Sequence, residues 1–341
     1  MDQEDRQKNM KELIKQLAEV WGPSGYEHRV RATLQAMVAP YVEASYVDGL
    51  GNLIVRVGNG GKKILFAAHM DQIGMMITYR EPSGFLRFSP IGGLLRPTLV
   101  GQRAVFEDGT VGTIGVHDQW GTARTHLPDL DGFFIDVSDG QGGDFQHGQP
   151  AVIESRVISR GSRIVGGALD DRVGCAVLVK ALHDLNKQCA NTVYMAFTVQ
   201  EEVGERGAAP ATFGVQPDVA IAVDVTPTGD EPKNLKLPVQ LGAGTAIKIQ
   251  DQGLLVSPAV QAWMVATAEQ HEIRYQREVL HMGRTDATQM QLVGRGIPTG
   301  AVSIPCRYVH TPSETVDEHD CYQTVALITG LANAPIPDFV A

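Results

Sequence analysis

The chain has 341 residues, 43% of them hydrophobic, and a formal net charge of −10 from 39 acidic and 29 basic residues. That length supports one large core beside a second, smaller domain, and the acidic balance argues against a nucleic-acid-binding protein, which usually presents a basic face. The charged start Met1-Asp2-Gln3-Glu4-Asp5 lacks the apolar core of a signal peptide, no run nears the ~20 apolar residues that cross a bilayer, and Cys175, Cys189, Cys306 and Cys321 form no Cys-x-x-Cys pair, so a cytoplasmic protein with reduced thiols is expected.

Met10, Leu13, Leu17 and Val20 recur at helical spacing. Ser24-Gly25-Tyr26-Glu27 has the form of a capping box for a second helix carrying Val30, Leu34 and Met37. After Pro40 the period shortens: 44–47, 53–57 and 64–68 read as strands, broken by Asp48-Gly49 and Gly58-Asn59-Gly60-Gly61. Residues 74–163 hold short β-prone pieces between frequent glycines, which predicts a small β-barrel. From about 164 strand and helix alternate again. Val173, Ala176, Val177, Lys180, Ala181 and Leu185 mark a helix, 193–199 and 219–223 are strands, and Ser257-Pro258 opens a helix to about 270. A short helix over 287–293, a strand over 300–304 and a last helix over 318–331 follow. The expected fold is α/β: a three-layer α/β/α sandwich with a mostly parallel central sheet (1–73 and 164–341), interrupted by a β-barrel domain inserted at 74–163.

The most telling segment is Val199-Gln200-Glu201-Glu202-Val203-Gly204, where two adjacent acids follow a buried strand. Unpaired charge beside a core is costly, so a cation is expected there. His69 with Asp71, the pair Asp170-Asp171 and Asp224 stand at the ends of other apolar runs or the start of a helix, and His310 lies near the C-terminus. In open α/β sheets, ligands bind where strands end, so distant residues of this kind gather on one edge. Oxygen and imidazole donors without thiolates suit one or two divalent metals. Each residue alone has a plainer explanation: His69 as a surface or cap histidine, Asp170-Asp171 as an N-cap, Glu201-Glu202 as a solvated loop, Asp224 as a turn residue. Four such placements on one edge make those explanations jointly weak. His117 with Asp118, in the insert, does not repeat the strand-end placement.

The chain resembles the M42 family of metallo-aminopeptidases, which includes glutamyl aminopeptidase and the tetrahedral aminopeptidases. The segments that carry the resemblance are Ala68-His69-Met70-Asp71-Gln72-Ile73-Gly74, Ala168-Leu169-Asp170-Asp171-Arg172-Val173-Gly174, Thr198-Val199-Gln200-Glu201-Glu202-Val203-Gly204, Ala222-Val223-Asp224-Val225-Thr226, Gly283-Arg284-Thr285-Asp286-Ala287 and Pro305-Cys306-Arg307-Tyr308-Val309-His310. The resemblance implies two divalent metal ions, zinc first, with cobalt or manganese possible. It implies that Asp170 bridges them before a cis peptide bond, that His69 and Asp224 hold one ion, and that His310 and Glu202 hold the other. Glu201 would be the general base, and Asp71 would accept the free ring proton of His69. Short peptides would be the substrates, and the insert would support dimers and a tetrahedral dodecamer. The stretch 117–130 is only loosely similar to the family's Pro-Pro-His-Leu-like segment. The competing expectations are a deacylase or dipeptidase on the same two-metal site and a non-catalytic binding protein. Arg284 and Arg307 are candidates for either a pocket or a structural role.

Overall fold

The structure, a computed structural model, describes residues 9–137, 145–232 and 236–339; the charged segment 1–5 lies outside them. Two cores are built. The larger unites α1 (Met10–Ala18), α2 (His28–Val38), α3 (Leu169–Leu185), α4 (Ala208–Val215), α5 (Pro258–Gln270), α6 (Ala287–Met290) and α7 (Glu318–Asn333) with an 11-stranded sheet. Its strands are β1 (Ala44–Val47), β2 (Leu53–Val57), β3 (Lys63–His69), β10 (Ile158–Arg160), β11 (Arg163–Gly166), β12 (Thr192–Thr198), β13 (Val219–Pro227), β14 (Thr245–Gln250), β15 (Tyr275–Val279), β16 (Thr299–Arg307) and β17 (Glu314–Asp317). The smaller core fills a closed barrel of β4 (Gly74–Arg80), β5 (Leu86–Ile91), β6 (Arg103–Phe106), β7 (Val111–Val116), β8 (Phe133–Asp136) and β9 (Pro150–Ile153), where Met75, Leu86, Phe106, Ile114 and Phe133 interdigitate. Among the described residues, no helix is long and apolar enough to cross a membrane.

Parallel pairing holds across the centre of the sheet, where β12, β3, β13 and β16 run side by side. Toward both edges pairing turns antiparallel, so the sheet as a whole is mixed. The reason is local: β1–β2 and β10–β11 are joined by connections too short for a parallel crossover. The central strands are buried on both faces and therefore read as continuous apolar runs. Helices α3 and α7 pack against one another beneath the sheet, while α4 and α6 cover the other face.

Several boundaries differ from the sequence expectation for physical reasons. The capping box at 24–27 does not form. Ser24 instead donates to Asp71 (Oγ to Oδ2, 2.6 Å), and Glu27 accepts from the backbone N–H groups of Gly25 and Gln200, so α2 begins at His28 with no side-chain cap. Strand β13 extends past 223 to Pro227, because β16 continues to pair with it; Asp224 lies opposite Ser303. The short helix at 287 stops at Met290 and passes into a turn. Asn9, Ser257 and Asp317 cap their helices as such residues should, each worth about 1 kcal/mol. In the barrel, Asp118 accepts from the backbone N–H and hydroxyl of Thr122, a turn contact.

The strand register positions the site. His69, the last residue of β3, pairs with Thr198, the last of β12. On the other side Ala67 pairs with Ala222, so continuing both strands by two residues brings Asp224 level with His69. The chain enters the barrel five residues after His69 and returns through β10 and β11 to Asp170. The barrel therefore leaves and rejoins the main body beside the same strand ends.

Candidate metal centre

Eight residues singled out from the sequence meet at this edge: His69, Asp71, Asp170, Asp171, Glu201, Glu202, Asp224 and His310. Asp170 lies between two imidazoles: its Oδ1 is 3.0 Å from His69 Nε2 and its Oδ2 is 3.4 Å from His310 Nε2. Glu202 Oε2 is 3.2 Å from the same His310 nitrogen, and Asp224 Oδ1 and Glu201 Oε2 are 4.0 and 3.9 Å from His69 Nε2. Ligand atoms of His69, Asp170 and Glu202 lie within 4.8 Å of one another, as do those of His69, Asp171 and Asp224. The Asp170–Asp171 peptide bond is cis, and both residues leave the helical φ/ψ region before α3 continues.

The two acids at 170 and 171 face different partners. Asp171 accepts from the backbone N–H of His69 (3.2 Å) and of Gly174 (3.0 Å). Asp170 turns its oxygens to the imidazoles instead. Asp71 does more than its sequence position suggested. Its backbone carbonyl is 3.1 Å and its carboxylate 3.4 Å from His69 Nδ1, so a proton on that nitrogen leaves the Nε2 lone pair facing Asp170. The same carboxylate accepts from the backbone N–H groups of Glu201 (3.0 Å) and Glu202 (3.2 Å), which fixes the turn that carries both acids.

The electrostatics suit cations. Burial pushes Glu201 and Asp224 well above the usual carboxylate range; His69 opposes this for Glu201, while Asp224 and Glu202 add to it. Burial also disfavours charge on Asp170, yet His310 and His69 more than offset it and hold its carboxyl down. Burial works against a proton on His310, but Glu202 and Asp170 raise it to about 12. Crowded acids and imidazoles that answer one another in this way form a donor set a divalent ion would hold together in its ionised, ligating form.

Further residues support the centre; Glu314 and Gly93 carried no sequence signal, whereas Arg172, Thr198 and Asp286 lie in the segments that carry the resemblance. Glu314, at the start of β17, accepts from the backbone N–H of Asp170 (3.1 Å) and of His310 (2.8 Å), joining the two sides of the cluster. Burial and the nearby Asp170 push it up to about 8. Gly93, in the barrel, presents its carbonyl 3.1 Å from His310 Nδ1. A Cβ at Gly93 would stand 2.6 Å from that nitrogen, so only glycine allows the approach. Arg172 is fully buried; its guanidinium donates to the carbonyls of Leu17, Val20, Gly22 and Met70, tying the end of α1 to the residue after His69. Thr198, level with His69, lies 2.5 Å from Asp286, which burial pushes up to about 6.

The family model described as M42 glutamyl aminopeptidase matches residues 51–327, a span that contains every residue of the cluster. The chain belongs to the M42 glutamyl aminopeptidase family. A putative aminopeptidase of Acetivibrio thermocellus is 40% identical over 332 residues, covering 96% of this chain and 98% of that one. Among solved structures, the aminopeptidase APDkam598 from Desulfurococcus kamchatkensis superposes with a TM-score of 0.89 at 38% identity, covering 95% of this chain and 94% of its own. The Pyrococcus horikoshii TET1 peptidase, described as assembling into a tetrahedron or a large octahedral shell, matches with a TM-score of 0.85 at 32% identity over 95% of this chain and 99% of its own. This M42 chain is thus a metallo-aminopeptidase-family hydrolase, with His, Asp and Glu groups placed to bind metal.

Proposed function

We propose that the chain removes N-terminal residues from short peptides, using two divalent metal ions held by the strand-end cluster. The observation that carries this is Asp170, whose two carboxylate oxygens face two different imidazoles. Asp170 would bridge the ions, His69 and Asp224 would hold one, and His310 and Glu202 the other. Asp171 is less suited to bridging because backbone N–H groups already engage its oxygens. Two imidazoles and three carboxylates suit zinc first, with cobalt or manganese as alternatives. Such a pair, when bound, makes water acidic near neutral pH and stabilises negative charge developing on a carbonyl oxygen.

Glu201 is close to the cluster but outside the ligand set, so its carboxylate is free to take the proton of the attacking water and hand it to the leaving amine. Asp71 serves it twice, by holding its backbone N–H and by orienting His69. By the same resemblance, one of the two metal positions would also anchor the substrate's free α-amine, which would set the cut at the first peptide bond. By analogy with the shell-forming TET1 peptidase, copies of this chain associate through dimers into a larger closed assembly, up to a tetrahedral dodecamer, with the 74–163 insert at the dimer contact and lining the chamber. Such an assembly would admit short, unfolded peptides.

The test compares aminoacyl-anilides bearing a free α-amine with their N-acetylated forms, each with and without EDTA. Cleavage only of the free-amine set, abolished by the chelator and restored by zinc, cobalt or manganese, is expected. Preferential cleavage of the acetylated set would make the protein a deacylase. Light scattering of the same preparation reads the assembly.

A further inference from the structure

A cavity of about 520 Å³ opens from the cluster, touching Asp170, Glu201, Glu202, Asp224 and His310. A second cavity, of about 300 Å³ and walled partly by the barrel, reaches only Asp170 and Glu202 of these five. The residue on the amino side of the scissile bond must lie within reach of the proposed base Glu201 and of the residues proposed to hold the metals, and of these two cavities the larger meets both. Beyond the cluster, the apolar part of its wall is Leu95, Val225, Pro227, Leu280, Met282 and Val309, with Thr285 beside them.

Three charged residues also touch the cavity: Lys248 and Glu205 are buried, and Arg284 is exposed. Lys248 is 1% exposed, and its ammonium lies 2.6 Å from Glu278 and 3.3 Å from Asp251. Held by those two acids, it does not offer a free positive charge to an acidic side chain. Glu205 is buried and hydrogen-bonded to Gln289, and burial disfavours its charged form. Arg284 itself is exposed to solvent, where its charge is screened. A charged substrate side chain entering between Leu95, Val225, Leu280 and Val309 would leave water for an apolar wall.

We infer that this cavity takes the side chain of the substrate's first residue and selects an uncharged apolar one, of the size of leucine or methionine; this rests on the aminopeptidase function proposed above. Selection follows from burial: each methylene that fills an apolar pocket improves discrimination, and alanine leaves the wall unfilled.

The experiment is a set of leucyl-, methionyl-, alanyl-, glutamyl- and lysyl-p-nitroanilides with the metal-loaded, full-length protein. Leucyl and methionyl substrates are expected to exceed the other three in kcat/KM by about 10-fold or more. A glutamyl or lysyl substrate equal to or faster than leucyl overturns the inference while leaving the aminopeptidase assignment intact. Cleavage of none of the five overturns the aminopeptidase assignment, and this inference with it. Met282, 39% exposed, tolerates a charge without threatening the fold, so Met282→Glu is the companion variant. It is expected to raise the lysyl-to-leucyl ratio of kcat/KM by about 10-fold, through a negative charge placed in the apolar part of the wall. An unchanged ratio in a folded, active variant shows that this wall does not meet the side chain.

Discussion

The central sheet and the barrel are both built from strands, yet they handle charge in opposite ways. Strands β3, β12 and β13 are buried along nearly their whole length; His69 ends β3, Glu201 and Glu202 follow β12, and Asp224 lies within β13, three residues before its end. In the barrel, inward and outward residues alternate, as in β7, where Ile114 and Val116 are buried and Val111 and Thr113 are exposed. Its polar groups therefore disperse over a solvated surface. The His117 ring, for example, lies 2.7 Å from the half-buried Arg87 and 5.8 Å from the ring of Phe134. Where layers cover both faces, charge concentrates at strand ends; where one face is wet, it spreads. The barrel still reaches the centre, but through backbone: the Gly93 carbonyl orients His310.

The largest test of this contrast is Glu201→Gln. It is expected to keep both metals, measured by elemental analysis, and to lose about 10²–10⁴ in kcat, the usual worth of a positioned base. Near-normal turnover would move the proton-transfer role elsewhere. Gly93→Ala tests the barrel's backbone contribution. Its Cβ must displace the His310 ring, and a fall of up to about 100-fold in kcat is expected, as for other misplaced catalytic groups. Full activity would show that the barrel does not orient the centre. Glu314→Gln turns an amide N–H₂ toward one of two backbone N–H groups, at Asp170 or His310. A weakening of metal affinity by about 10–100-fold, read by chelator competition, is expected with the fold retained by circular dichroism. Smallest is His117→Ala, which should change stability by less than about 0.5 kcal/mol and leave kcat/KM unaltered. A marked loss there would mean that barrel side chains, and not only its backbone, take part in the reaction.

Much of the architecture was legible because periodicity is local. The runs at 64–68 and 193–199 are apolar without alternation, which only strands covered on both faces require, and both lie in the central sheet. The glycine-punctuated middle likewise folds as a barrel. The box at 24–27 misled because Ser24 and Glu27 have the right chemistry for a cap but find better partners in Asp71 and the turn at Gln200, which no local rule foresees. Glu314 gave no signal at all: a single acid beside two hydroxyl residues is unremarkable until Asp170, 144 positions away, is brought beneath it.

By itself, the order of residues determined which acids and imidazoles follow apolar runs, because burial on both faces makes an uncompensated charge within a strand costly. Tertiary structure decided how those groups point. The registers of β3 with β12 and β13 bring His69 level with Thr198 and Asp224. The backbone N–H groups of His69 and Gly174 take up Asp171 and leave Asp170 facing both imidazoles. Apart from the Gly174 contact, these groups are oriented by segments more than a hundred residues apart in sequence, and no local pattern encodes that.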